Sequence, residues 1–293
     1  MRLFLDSFAQ VGASLPVNAI GHPPGLLLTL HWLGIDGAKG MAALTIGGGA
    51  LSDPLAYVLA RRLLDERRAR AATLLYAFAP SAVLLGATSA DALYATLALA
   101  AAIPLVARRP LGPPLFVVAS FFSYANLAVG AWAALVVAGR DGLRRGVALA
   151  LACGLALVSF YVLLFLATGY DPVGVVRATA SVYHEGVASG RPYAFWLFGS
   201  PVAFLIALGP PIAWFALRAA GEGWGPAVAL LVVLGVAAAL GFTKAETERI
   251  YLFLVPLACI AAAAALPDRL LAPVLAALAA QALAVELLLD TVW

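Results

Sequence analysis

The chain has 293 residues, 64% of them hydrophobic and 11% charged, with a mean hydropathy of +0.99. That is more apolar side chain than a soluble domain of this length buries, so the chain reads as an all-α, polytopic integral membrane protein; its apolar runs are helix-length and lack strand-like alternation, which excludes a β-barrel. Sixteen of the 18 basic residues are Arg and the formal net charge is only +3, a balance that gives no support to nucleic-acid binding.

Residues 1–37 hold no spanning segment. Asp6, Asn18, His22 and three prolines interrupt them, and no uninterrupted signal-peptide core appears. Leu26 to Ile35 is apolar but too short to cross a bilayer, and reads as an interfacial helix entered through Pro23-Pro24. The transmembrane domain is therefore 38–293. Its first span, about 38–60, contains Asp53 and ends in RRLLDERRAR (61–70), whose five Arg mark a cytoplasmic loop. An intramembrane carboxylate such as Asp53 is either functional or paired within the bundle. Spans at about 71–87 and 91–107 follow, joined by the outer turn Thr88-Ser89-Ala90-Asp91 and closed by Arg108 and Arg109.

Residues 112–139 lie between Arg108/Arg109 and Arg140/Arg144/Arg145, so both of their ends belong on the basic side. One span cannot satisfy that, and the segment is expected to break near 123–126 and return as a short-helix hairpin. A span at 146–168 leads to the sizeable outer loop, 169–200, which carries Tyr170, Asp171, Arg177, Tyr183, His184, Glu185, Arg191, Tyr193 and Trp196. Spans at 201–218, 225–241, 250–266 and 271–291 bring the total to about eight, with Arg218 and Arg269 inside and Glu286 and Asp290 near the last interface.

The stretch GFTKAETERIYLFLVPL (241–257) sets Lys244, Glu246, Glu248 and Arg249 between two apolar runs. As the first turns of a helix it pairs Lys244 with Glu248 at i,i+4 and Glu246 with Arg249 at i,i+3. It reads either as a salt-bridged helix start or as a site for an anionic head group. In the second reading Arg249, with Lys244, contacts phosphate, and a carboxylate positions a hydroxyl-bearing substrate. The topology puts this stretch on the same face as His22, Asp91 and the 169–200 loop, while the opposite face holds mostly bare Arg. His22 is suited to cap the interfacial helix or to contact a substrate. Asp91 is suited to cap its own helix, to orient an acceptor or to bind a metal. His184, Glu185, Arg191 and Tyr193 are acceptor contacts or a solvated loop surface. Cys153 and Cys259 sit in apolar runs as small hydrophobes, and CxxC, HExxH, P-loop and GxSxG motifs are all absent.

Four of these elements carry a resemblance. Gly21-His22-Pro23-Pro24-Gly25, Ser89-Ala90-Asp91, Ser123-Tyr124 and Glu246-Thr247-Glu248-Arg249-Ile250, in that order along the chain, resemble the GT-C membrane glycosyltransferases that use polyprenyl-phosphate sugars. That family includes the protein O-mannosyltransferases, the lipid A aminoarabinose transferase and actinobacterial arabinosyl- and mannosyltransferases. The resemblance implies inverting transfer of a sugar to a glycan, lipid or protein hydroxyl, at the extracytoplasmic face of the plasma membrane and among membrane lipids. A carboxylate would take the acceptor proton, and cations would hold the departing phosphate. On this reading Arg249 and Lys244 bind the donor phosphate, His22, Tyr124, Glu246 and Glu248 support the site, and His184, Glu185, Arg191 and Tyr193 meet the acceptor. A divalent cation is possible, but no ligand set for it is assigned. The family's catalytic Asp follows a first span that this chain lacks ahead of His22. The expectation is thus that a leading helix is missing, with Asp6 and Asp91 left as the candidate carboxylates. Two rival readings are a transporter or flippase of polyprenyl-linked substrates, which calls for broken helices and repeats, and a non-catalytic partner subunit.

Overall fold

A computed structural model of the protein describes residues 2–11, 14–15, 19, 21–241, 244 and 246–289, with Val187 described by its backbone alone. Asn18, Thr243 and Asp290 lie outside the described residues. Within them every regular element is helical. The amino-terminal segment forms α1 (Arg2–Asp6), α2 (Phe8–Val11) and α3 (Gly25–Trp32). The main body begins with α4 (Ala38–Ala50), α5 (Ser52–Leu63), α6 (Glu66–Phe78), α7 (Pro80–Leu85) and α8 (Asp91–Val106). It continues with α9 (Gly112–Phe122), α10 (Leu127–Asp141), α11 (Leu143–Thr168) and α12 (Pro172–Val182). The last elements are α13 (Tyr193–Leu208), α14 (Pro210–Gly221), α15 (Gly225–Leu240), α16 (Thr247–Ile250), α17 (Val255–Ala265) and α18 (Leu271–Leu288).

Local chemistry sets many of these limits. Asp65 caps α6 by accepting from Arg68 N, and Asp171 caps α12 by accepting from Val173 N and Gly174 N. Proline opens α7, α12 and α14, where its missing N–H is no loss. Inside a helix the same residue is disruptive, and this corrects one expectation. The apolar run at 201–218 is not one straight span. Its helix starts earlier, at Tyr193, and stops at Leu208, because Pro210 and Pro211 cannot continue the hydrogen-bond ladder. The chain turns by 113° there before α14 begins. The 169–200 loop is accordingly largely helical, made of α12, a π-helical turn at Tyr183–Val187 and the first residues of α13.

Among the described residues three helical stretches are long and apolar enough to cross a membrane: Ala38–Leu63, Leu143–Thr168 and Asp268–Leu288. The bent pair α13–α14 would make a fourth. The remaining apolar helices expected as straight spans are shorter or interrupted. A 16-residue helix such as α8 rises about 24 Å, against roughly 30 Å of hydrocarbon. The α11 helix turns Leu151, Leu155, Leu163 and Leu166 outward, so its free face is hydrocarbon along most of its length.

The long helices define two ends. From Asp91, α8 runs to Val106 at the far end, and α9 comes back. At Ser123 the backbone becomes extended (φ −152°, ψ 129°) and the helix breaks. Asn126 fastens that break by donating to Ala119 O (3.0 Å) and to Tyr94 O (3.4 Å). α10 then returns, and the Arg140 guanidinium donates to Val106 O at 2.7 Å. Both ends of the 112–139 segment thus sit at the Arg-rich end, as the charge pattern requires. An Arg67–Asp268 ion pair of 2.8 Å brings the start of α18 to the same end.

Small residues let the central helices touch. Gly48 and Gly49 of α4 lie against Leu93 and Ala92 of α8, and Thr96 Oγ1 donates across to Gly48 O at 2.7 Å. Trp132 is buried in the middle of the bundle and donates to Pro226 O at 3.1 Å. α17, almost wholly buried, packs Pro256 to Ala263 between α14 and α6. Cys153 and Cys259 are buried free thiols. A smaller core of Leu5, Phe8, Leu28, Tyr170 and Val175 docks the amino-terminal segment onto the Thr168 end of α11.

Candidate functional site

At the end opposite the Arg-rich loops, four separate stretches of chain meet around Arg249. Its Nη1 lies 3.0 Å from Asp91 Oδ2, and its Nη2 lies 3.0 Å from Glu246 Oε2. The other Glu246 oxygen faces Arg191 Nη2 at 3.7 Å. The side chains of Arg249 and Asp91 are only 14% and 9% exposed, whereas Glu246 and Arg191 keep 30% and 27%. The array therefore runs from a buried ion pair to a half-buried one, with two guanidiniums balanced by two carboxylates. Such charges away from water are stable only when paired and hydrogen-bonded.

Backbone structure holds the array. Thr247, fully buried, donates from Oγ1 to Ser200 O (2.8 Å) and ties α16 to α13. Glu246 takes a left-handed conformation (φ 59°), which is unusual for a residue with a Cβ and recurs at functional sites. Its carbonyl accepts from Arg249 N and Ile250 N, so the turn that strains Glu246 also aims Arg249. Arg191 and the Tyr183 hydroxyl both bond the Lys244 backbone, which joins the 183–191 stretch to the same turn.

His22 completes the cluster from the amino-terminal segment. Gly25 packs directly on the backbone of Phe121, where a Cβ would overlap the carbonyl, and this close approach seats the 21–25 turn over the break in α9. The His22 ring then lies on Tyr94, with centroids 5.1 Å apart, and its buried Nδ1 has no hydrogen-bond partner among the described residues. Burial holds the imidazole below its ordinary pKa; Asp91 nearby works against that and Arg249 adds to it. His22 is thus neutral near pH 7. Below about pH 6.5 the unfolded chain takes up a proton that folded His22 resists, so this term of stability is present above pH 6.5 and is lost as pH falls. His22→Gln should flatten the acid limb of the thermal-unfolding profile by up to about 1.4 kcal/mol per pH unit. An unchanged limb would show that the ring is not held neutral.

The structure sorts the residues expected from sequence. His22, Asp91, Glu246, Arg249 and Arg191 come together. Neither His22 nor Asp91 acts as a cap: the residue preceding α3 is Pro24, and Asp91 is already the first residue of α8, with its carboxylate turned to Arg249. The Glu246–Arg249 pair forms, but Lys244 and Glu248 make no ion pair with one another. The helix starts only at Thr247, so Lys244 stands outside it and lacks the i,i+4 geometry. Lys244 enters the site through its backbone. Tyr193 is half exposed and donates to Ala239 O. His184 rests edge-on against Tyr183, and Glu185 accepts from Ser181 on the exposed surface. Tyr124 faces Tyr170 in an aromatic group with Tyr161 and Phe121, and Asp6 abuts Gly169. Among the described residues no three His, Cys, Asp or Glu groups converge as metal ligands.

Sequence reasoning missed Tyr94 and singled out Tyr183 only as one of several loop residues. An aromatic residue one turn into α8 carries no local sign that it will seat a histidine 72 positions earlier. A cavity of about 240 Å³ is lined by Ser52, Asp53, Tyr76, Ala92 and Leu252. Two of its lining residues, Ala92 and Leu252, lie one and three residues from Asp91 and Arg249 in the chain. Tyr76 donates to Ser52 Oγ at 2.8 Å, and one buried oxygen of Asp53 meets no hydrogen-bond donor among the described residues.

Comparison with known proteins finds no matching family model, no matching curated protein and no matching solved structure.

Proposed function

We propose that the protein is a plasma-membrane transferase of about eight spans plus the α9–α10 hairpin, acting at the extracytoplasmic face. It takes a sugar from a polyprenyl phosphate and passes it to a hydroxyl acceptor. The observation that carries this reading is the convergence of His22, Asp91, Arg191, Glu246 and Arg249 at one end of the apolar helices, with Arg-rich loops at the other. That polarity fits an outer site under the positive-inside rule. Glu246 bridges two guanidiniums as an internal anion, in the place a donor phosphate would occupy. A phosphate arriving there displaces the more exposed Glu246 and keeps Arg249 and Arg191 as its contacts. Asp91, the less exposed carboxylate, is then the group positioned to accept the hydroxyl proton, beside neutral His22.

Removing the internal competitor should strengthen phosphate binding. Glu246→Gln is expected to bind farnesyl phosphate about tenfold more tightly in a detergent titration, the order of one charge–charge contact near a protein surface, while slowing turnover through slower release. Weaker or unchanged binding would remove Glu246 from the phosphate position. The reaction itself is tested with radiolabelled polyprenyl-phosphate sugars and purified protein. Sugar transfer that disappears in Asp91→Asn supports the reading, and absence of transfer in the wild type refutes it.

A second reading, movement of a polyprenyl-linked lipid across the bilayer, is favoured by the breaks at Ala79 and Gly209, which put irregular backbone among the apolar helices. Reconstituted vesicles separate the two, since a flippase moves a labelled lipid without consuming it.

A further inference from the structure

The Arg-rich end holds more than a topogenic charge. Arg62 from the end of α5, Arg108 and Arg109 from the turn after α8, and Arg140 from the end of α10 surround one concavity of about 380 Å³, floored by Val106 and Ala107. Among the described residues Asp141 is the only carboxylate paired with these groups, at 3.1 Å from both Arg108 and Arg140. Arg62 and Arg109 have no ion-pair partner among the described residues. Four guanidiniums thus face one carboxylate, a surplus of three positive charges around a single space.

Two further observations point to a ligand. Arg108 occupies the left-handed position (φ 52°) that ends α8, where Arg108 N and Arg109 N bond back to Leu105 O and Pro104 O. Glycine fits that position without strain, yet here an arginine is held in it with its side chain at the concavity. The basic groups at this end are also all Arg; the two Lys of the chain, Lys39 and Lys244, lie elsewhere. A positive-inside signal needs only charge, and Lys supplies it as well as Arg. A planar fork that takes two oxygens at once is what phosphate recognition uses.

We propose that this concavity is a binding site for a phosphate ester, distinct from the Arg249 array and separated from it by the length of α8. An anionic phospholipid headgroup is the source that fits the surroundings. The site opens at the rim of the apolar helices, and Leu111 and Leu143 beside it are 59% and 73% exposed, so an acyl chain has apolar surface to follow.

The test titrates the full-length protein in detergent with phosphatidylglycerol, with phosphatidylcholine and with inorganic phosphate, and reads the thermal-unfolding midpoint. Phosphatidylglycerol should give a saturable rise that phosphatidylcholine does not. In R62Q/R109Q the apparent Kd should weaken about thirtyfold, roughly fivefold for each basic group near the membrane surface. R144Q/R145Q, which removes two arginines outside the concavity, should stay within about twofold. A saturable rise with inorganic phosphate, weakened by the same variant, keeps the site and assigns its ligand to a soluble phosphate ester. Equal weakening in the two double variants would reduce the effect to diffuse surface charge and overturn the proposal, as would a rise with neither anion. If R62Q/R109Q fails to fold, R62K/R109K preserves the charge and removes the fork. An unchanged Kd in that variant also overturns the assignment.

Discussion

Arg249→Gln should be the most damaging single change at the site. It leaves Asp91, whose side chain is 9% exposed, without the guanidinium 3.0 Å away. Breaking a buried pair from one side costs about 3 kcal/mol, because the remaining charge stays desolvated. Thermal unfolding in detergent should register that loss, and sugar transfer should fall below one hundredth of wild type if the guanidinium also holds the donor phosphate. Asp91→Asn alone should cost less stability, since Arg249 keeps Glu246 at 3.0 Å. The informative variant is the double one. Asp91→Asn with Arg249→Gln removes both charges and should regain most of the lost stability without regaining transfer. Stability effects that simply add would mean the two side chains are not coupled. Recovery of transfer together with stability would mean the pair serves only to hold α8 to α16.

Gly49→Leu should do comparable harm without touching a charged group. A Cβ at residue 49 would stand 2.6 Å from the Ala92 Cβ, with Ala92 backbone close behind, so no flexible side chain can give way. Either α4 or the start of α8 must move. Overpacking of this kind costs about 1–3 kcal/mol. Ala92 adjoins Asp91, so the displacement reaches the ion pair directly, and transfer should fall with stability. Gly47→Leu is the matched control, because nothing lies within 4 Å of a Cβ there. It adds a better helix former on an open face and should leave both properties near wild type. Equal damage from the two substitutions would show that helix propensity, and not the α4–α8 contact, sets the result.

Helix positions were legible in the chain because apolar runs and their breakers act locally. The runs at 91–107, 146–168 and 225–241 match α8, α11 and α15 within a few residues. The break at 123–126 was legible for another local reason: Arg on both sides of 112–139 leaves only a returning path. Composition failed where the interruption lay inside a run. Pro210 sits within an apolar stretch, and hydropathy counts it as continuous while the hydrogen-bond ladder does not. Of the charged stretch at 244–249, spacing foretold the Glu246–Arg249 pair, which is three residues long. It did not foretell Arg249–Asp91, which spans 158 positions. Nor could spacing show that the helix would start at Thr247 and leave Lys244 outside it, with Thr247 bonded to Ser200 47 positions earlier. Which residues are apolar, and where the backbone must stop, are properties of neighbours in sequence. Which carboxylate neutralises which guanidinium is decided by the folding of several helices to one end, where a buried charge without a partner is too costly to remain.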